Sequence, residues 1–282
     1  MASHKLLQNR KALMNMVRRI AVEAGNLTLD YFENDLAMQA DMKTDGSPVT
    51  LADKKAEAYI TEKLKDLVPG ILLVGEETYH KNDLSSLPEA EYFWLVDPLD
   101  GTKEFVSGSG EYTVNIALIH RGNPVIGVVY APVKGELYCG YHEEDGEGDA
   151  IFWREDDNKE KPISVRRPPE KGLIVIASKN HGDQQQLEEF LQGFKVQKTM
   201  KKGSSLKICM IAAGKADLYP RHGPTCEWDT AAAHGVLLAA GGQVTDFEGK
   251  PLKYGLRYDG PDTKFLNPFF VAAGFDWVME EN

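Results

Sequence analysis

Cysteine is scarce and ungrouped in this chain. The three present, Cys139, Cys209 and Cys226, lie far apart, and no Cys-x-x-Cys pair or Cys/His cluster occurs. That pattern argues against zinc ribbons and dithiol redox motifs and suits idle thiols in a reducing compartment. Basic residues are outnumbered, with 32 Lys and Arg against 43 Asp and Glu and a formal charge of −11. A nonspecific binder of nucleic acid polymers needs a basic face, which this balance does not supply. An acidic chain that handles an acidic substrate would need bound cations. No apolar run approaches the roughly 18 residues of a membrane span. The first residues, with His4, Lys5, Arg10 and Lys11, lack the apolar core of a secretory signal. Internal repeats and low-complexity tracts are also missing. The expectation is a soluble, cytoplasmic chain with one large core or two closely packed halves.

What the chain does carry is concentrated at Phe93-Trp94-Leu95-Val96-Asp97-Pro98-Leu99-Asp100-Gly101-Thr102. Tyr92 to Val96 is aromatic, aliphatic and uncharged, the pattern of a buried strand. Pro98 cannot donate a ladder hydrogen bond, so regular pairing should stop there. Gly101 then permits a tight turn. Asp97 and Asp100 therefore stand just beyond a rigid strand, placed to share cations.

Upstream, Leu13, Met16, Val17, Ile20, Ala24 and Leu27 recur at helical spacing and predict an amphipathic helix over about 6–34. A loop at 43–49 precedes a second helix over about 51–68, which buries Ala56, Tyr59, Ile60, Leu64 and Leu67. Thr50 and Asp53 read as a capping box at its start, and Pro69-Gly70 ends it. A short strand at 71–74 leads into Gly75-Glu76-Glu77. Strands are expected at about 112–120, 124–131, 135–141 and 150–153, with Arg121-Gly122-Asn123 turning the first hairpin. The charged stretch 154–161 reads as an exposed loop. It also reads as the boundary between an N-terminal α+β lobe, 1–160, and a C-terminal α/β lobe, 161–282. In the second lobe, strands near 173–177, 194–199, 216–219, 243–245 and 269–273 alternate with helices near 183–192, 204–213 and 230–240. That rhythm predicts a mostly parallel or mixed sheet flanked by helices.

Acids recur at the ends of these elements. Glu76 and Glu77 follow one strand, Asp97 and Asp100 another, Asp229 opens a helix, and Asp53 lies in a first helical turn. Such positions are held by rigid elements, the usual way a site is preorganised. Each acid alone reads as a cap or turn residue; the set reads as an enzyme site. Oxygen donors without His or Cys favour hard cations, Mg²⁺ first and Mn²⁺ or Ca²⁺ behind it. Two such ions can clamp both the attacking and leaving oxygens of a phosphoryl displacement. Gly101-Thr102, if it opens a helix, offers backbone N–H groups to a phosphate.

Gly75-Glu76-Glu77, the run from Trp94 to Thr102, and Trp228-Asp229 together resemble the inositol monophosphatase superfamily of metal-dependent, lithium-sensitive phosphatases, over nearly the whole chain. Within it, residues 97–105, Gly203-Ser204-Ser205-Leu206-Lys207 and Leu218-Tyr219-Pro220-Arg221 resemble the 3'(2'),5'-bisphosphate nucleotidases of the CysQ type. The inositol branch typically has Asn where Glu104 stands. The resemblance implies a layered α/β/α/β/α sandwich. It implies metal binding by Glu76, Asp97, the carbonyl of Leu99, Asp100 and Asp229. Two or three Mg²⁺ ions per site go with it, with Mn²⁺ as a substitute and Li⁺ as an inhibitor. It implies water activation by Asp53 and Thr102, with Glu77 supporting the ligands or holding a third, weaker ion. Substrate contacts are implied at Gly101, Thr102, His181, Gly203, Ser204, Lys207 and Arg221. The forked guanidinium of Arg221 suits a distal phosphate; His222, beside it, has no assigned role. The implied reaction removes the 3'-phosphate of adenosine 3',5'-bisphosphate, giving AMP and phosphate. The implied setting is cytoplasmic, with peripheral association at the inner membrane left open. The alternatives are a phosphatase of the same superfamily acting on inositol or sugar phosphates, or a noncatalytic metal-binding protein.

Overall fold

The computed structural model describes residues 2–33, 40–42, 48–143, 146–178, 184–255 and 265–277. The first predicted helix is two, α1 (Ala2–Leu7) and α2 (Arg10–Glu33). Between them the Asn9 side chain accepts the Ala12 N–H at 3.0 Å and starts the second helix as a cap. β1 (Ala40–Met42) and β2 (Pro48–Thr50) pair antiparallel, so β2 takes up the end of the predicted loop at 43–49. Residues 43–47 of that loop lie outside the described residues. α3 (Leu51–Leu67) opens at the predicted capping box, where Thr50 Oγ1 accepts the Ala52 N–H and Asp53 Oδ2 accepts the Thr50 N–H.

β3 (Leu72–Gly75), β4 (Tyr92–Asp100), α4 (Thr102–Val106), β5 (Thr113–His120), β6 (Asn123–Ala131), β7 (Glu136–His142), β8 (Gly148–Arg154) and β9 (Lys159–Pro162) follow. Their strands form one sheet in chain order, with β3 parallel to β4 and the other neighbours antiparallel. β4 pairs with β5 down to Asp97↔Asn115, slips, and pairs again at Asp100↔Thr113. The missing Pro98 donor therefore shows as an irregularity and not as the end of the strand. Part of the predicted loop at 154–161 is strand β9, whose residues are all exposed. A charged edge strand and a charged loop have the same composition, because charge on an edge discourages further pairing.

The second half contributes β10 (Leu173–Ser178), α5 (Gln184–Leu191), β11 (Val196–Lys202), α6 (Leu206–Ala212), β12 (Leu218–Arg221), α7 (Glu227–Ala239), β13 (Gln243–Asp246) and β14 (Phe270–Ala273). Among the described residues these strands form a mixed sheet ordered β11-β10-β12-β14-β13. α2 and α3 cover one face of the larger sheet, and α7 with α6 fills the space between the sheets. α5 supplies Leu187, Phe190 and Leu191 to a cluster with Leu173, Val175, Leu218 and Val271 of the smaller sheet. The result is the α/β/α/β/α sandwich. A lobe boundary at 160 falls inside β9, and we keep the two-lobe division as a proposal, placed after that strand.

α7 is apolar all round and buried almost throughout, as a helix between two sheets must be. It packs on β6 so closely that a Cβ on Gly127 would lie 2.0 Å from the Ala232 carbonyl oxygen. Only glycine admits that approach, and the approach decides where the start of α7, with Asp229, sits against β4. His234 of the same helix meets the Tyr254 hydroxyl at 2.9 Å, and burial pushes its pKa down to about 3.

Candidate active site

Five acids named from the sequence meet where β3, β4, α3 and α7 end. Glu76 is fixed to β4 by its own N–H, which donates to the Val96 carbonyl at 3.1 Å. Its side chain faces that of Asp97, which is buried. Asp97 Oδ1 accepts the Leu99 N–H at 3.0 Å, turning the chain toward Asp100. Asp229 completes a capping box on α7, its Oδ2 accepting the Cys226 N–H at 2.8 Å. Burial pushes the carboxyls of Asp97 and Asp229 well above the usual carboxylate range, and neighbouring charges add to it. For Asp97 those charges are Glu76, Asp100 and Asp229; for Asp229 they are chiefly Asp100 and Glu76. Like charges crowded in a poorly hydrated place call for a cation.

Asp53 has two jobs, one for each oxygen. Oδ2 holds the helix cap through Thr50, and Oδ1 accepts the Thr102 hydroxyl at 3.3 Å. Thr102 Oγ1 also lies 3.3 Å from the Leu99 carbonyl. Thr102 follows Gly101, whose φ of +102° starts α4 and whose Cβ, if present, would meet the Glu111 carbonyl at 3.1 Å.

The loop at 203–207 reaches these acids from the other half. Asp100 Oδ2 accepts the Ser205 N–H at 2.6 Å, the Ser204 hydroxyl at 2.7 Å and the Ser205 hydroxyl at 3.0 Å. Ser204 lies in the left-handed region at φ +55°, a conformation that costs a non-glycine residue on the order of 1–3 kcal/mol. The Asp100 contacts hold it there. Ser205 Oγ also lies 2.6 Å from the Asp229 carbonyl, so one serine touches acids from both halves. Thr113 and Asn115 of β5 complete the network, on Ser204 Oγ at 2.6 Å and Ser205 Oγ at 2.9 Å.

A cleft of about 300 Å³ opens beside this network, lined by Asp100, Gly101, Thr102, Gly203, Lys207, Arg221 and Asp229 among others. Lys207 Nζ donates to the Ser204 carbonyl at 2.6 Å and stands over the Tyr219 ring. Burial pushes its pKa down to about 8, with Asp100 opposing the shift and Arg221 adding to it. Arg221 is buried, and its guanidinium donates to the carbonyls of Gly223 and Pro224. His181 lies outside the described residues. His222 packs its ring on Phe247, with centroids 4.4 Å apart, in the aromatic cluster under α5.

Ser205, Thr113, Asn115 and Glu57 were not singled out from the sequence. Ser205 stands inside Gly203-Ser204-Ser205-Leu206-Lys207, where the resemblance implies substrate roles only for its neighbours. Thr113 and Asn115 are ordinary strand residues until β5 is aligned with Asp100. Glu57 did leave a signal, an acid between Ala56 and Ile60 on the buried side of a helix. The donor set suits a hard cation, since the convergent side chains are carboxylates. As they stand, no three His, Cys, Asp or Glu groups among the described residues close into a ligand shell. Asp100 Oδ2 is turned to the serines.

A layered α/β sandwich with acids gathered at its strand and helix ends is the architecture of a known class. Residues 9–267 match the Inositol monophosphatase family, and the chain belongs to it. Among its relatives, the 3'(2'),5'-bisphosphate nucleotidase CysQ of Escherichia coli K12 is 43% identical over 263 residues, 93% of this chain and 99% of that one. The nucleotidase CysQ of Buchnera aphidicola is 36% identical over 93% of this chain and 94% of its own. The crystal structure of CysQ from Bacteroides thetaiotaomicron superposes with a TM-score of 0.75 at 33% identity, covering 93% of this chain and 97% of that one.

Proposed function

We propose that the chain is a Mg²⁺-dependent phosphatase that removes the 3'-phosphate of adenosine 3',5'-bisphosphate, leaving AMP. The observation that carries this reading is a pair of cations, the half-buried Lys207 and the buried Arg221, lining the same cleft as Asp100 and Asp229. A phosphate at the acids and a second phosphate at the cations describes a bisphosphate, and the CysQ relatives are named for that substrate class. Glu76, Asp97, the Leu99 carbonyl, Asp100 and Asp229 would hold the ions. When bound, the ions supply Lewis-acid stabilisation of charge on the phosphoryl group. Asp53 takes the Thr102 proton through its hydrogen bond, which leaves Thr102 Oγ1 able to accept one from an attacking water. Gly101 and Gly203 line the cleft and stand among the proposed substrate contacts. Two or three ions, Mn²⁺ as substitute, Li⁺ as inhibitor and a cytoplasmic setting belong to the same proposal. Among the described residues no helix is long and apolar enough to cross a membrane.

Lys207→Ala tests the substrate assignment. Loss of a charge-assisted contact costs roughly 1.5–3 kcal/mol, about ten- to a hundredfold in affinity. The KM for adenosine 3',5'-bisphosphate should rise by that factor, while turnover of a small monoester without a second phosphate changes little. Lys207 also supports the Ser204 carbonyl, so a loss shared by both substrates measures that support and the difference measures the phosphate contact. Because the amine titrates at about 8, the wild-type preference for the bisphosphate in kcat/KM should decline above that pH as the cation is lost. Equal losses on both substrates, with no pH-dependent preference, would remove Lys207 from substrate recognition.

A further inference from the structure

We propose that Glu57 is a positioning residue that sets Glu76 against Asp97 by holding the Gly75–Glu77 turn from beneath. The proposal rests on the reading above, in which Glu76 is a metal ligand. α3 places Asp53 and Glu57 one turn apart on its buried side. Glu57 is 1% exposed, a rare state for a glutamate that has no cationic partner among the described residues. Its neighbours are the turn itself. Oε2 accepts the Glu77 N–H at 2.7 Å, and Thr78 stands beside the carboxylate. Oε1 is buried and has no hydrogen-bond partner among the described residues.

The turn is built around this carboxylate. A Cβ on Gly75 would lie 2.5 Å from Glu57 Cδ and 2.6 Å from Oε2, so glycine is what lets the acid reach the Glu77 amide. The Thr78 N–H closes the turn on the Gly75 carbonyl at 3.2 Å, and the Glu76 N–H joins it to Val96, one residue before Asp97. Glu76 is thereby held from two directions, by β4 at its own amide and by α3 through Glu57 at the next. Since α3 also carries Asp53, the same helix sets the Thr102 partner and the Glu76 turn together. Reach is the property this job requires. A glutamine keeps the length and the acceptor for Glu77, and its amide nitrogen takes the place of an oxygen that already lacks a partner. An aspartate keeps the charge but is one methylene too short.

The test compares Glu57→Asp and Glu57→Gln with wild type in Mn²⁺ binding, followed by electron paramagnetic resonance with Mg²⁺ competition. Melting in EDTA and the KM at saturating Mg²⁺ are measured alongside. Groups that orient metal ligands typically change metal affinity roughly 10- to 100-fold when altered. Glu57→Asp should weaken Mn²⁺ binding by that factor, Glu57→Gln should stay close to wild type, and KM at saturating Mg²⁺ should hold in both. Gly75→Ala, which pushes the same carboxyl out of the turn, should copy Glu57→Asp and decides the matter if the aspartate variant fails to fold. Unchanged Mn²⁺ affinity in Glu57→Asp, with only a lower melting temperature in EDTA, makes Glu57 a structural residue and overturns the proposal. Glu57→Gln losing as much as Glu57→Asp overturns it too, because a side chain of the same reach would then fail to hold the turn. A wild-type chain that binds no Mn²⁺ is a different failure and overturns the metal reading itself.

Discussion

Asp53→Asn should lower kcat by on the order of 10³, within the range that general-base groups supply, while KM and the melting temperature stay near those of wild type. The two oxygens of Asp53 explain the separation. Oδ2 accepts the Thr50 N–H and caps α3, a role the asparagine carbonyl can fill. The remaining position must accept the Thr102 hydroxyl, and there the asparagine presents a donor. Thr102 would have to turn its proton elsewhere and would lose the acceptor that polarises it. Thr102→Val should give a loss of similar order, and the double variant should lose little more, since the two groups act as a unit. Near-normal turnover of Asp53→Asn, with the cap intact, would reduce Asp53 to a capping residue.

Mg²⁺ should stabilise the fold, and the effect should appear only as pH rises. Asp97 and Asp229 have folded-state pKa values raised by burial and like charge, and burial raises Glu57 to about 7. A carboxyl raised in this way contributes stability below its unfolded pKa near 4 and loses that contribution as pH climbs through the folded value. The metal-free chain is therefore penalised progressively above about pH 4. Mg²⁺ competes with those protons, so it has little to bind at low pH and much to offset at neutral pH. At a hundred times its Kd the ion contributes about 2.7 kcal/mol, on the order of 5 °C in Tm for a chain of this size. Buried His234 works in the opposite direction. Its lowered pKa gives stability that is present above the unfolded value near 6.5 and lost as pH falls toward about 3. Melting with Mg²⁺ and with EDTA at each pH, at constant ionic strength, cancels His234 and Glu57, which hold no ion, and leaves Asp97 and Asp229. A difference that is flat with pH, or absent at neutral pH, contradicts the metal assignment.

Most of the fold was readable because its signals are local. The helical spacing of α2, the Thr50 capping box and the Arg121-Gly122 hairpin with positive φ at both residues are set by neighbours in sequence. What was missed depends on distant partners. β9 has the composition of a solvated loop and becomes a strand only because β8 offers it an edge. β4 continues past Pro98 because Thr113 is there to pair with Asp100. The acids could be named from element ends, but which oxygen does what could not. The division of labour in Asp53 exists only once α3 meets the start of α4, and the three donors from Ser204 and Ser205 converge on Asp100 Oδ2 only once the two halves meet. Glu57 shows the limit most plainly. Its place on a buried helix face marks it as unusual, while its partner turn lies in another element.

Phosphate release from adenosine 3',5'-bisphosphate, compared under Mg²⁺ with release from inositol 1-phosphate, tests the central claim most directly. The products of the nucleotide reaction are identified by chromatography. The account predicts Mg²⁺-dependent formation of AMP and one phosphate, abolished by EDTA, with kcat/KM for the bisphosphate far above that for the inositol ester. Formation of adenosine 3'-phosphate, a preference for the inositol ester, or no phosphate release from either substrate in Mg²⁺ would contradict it.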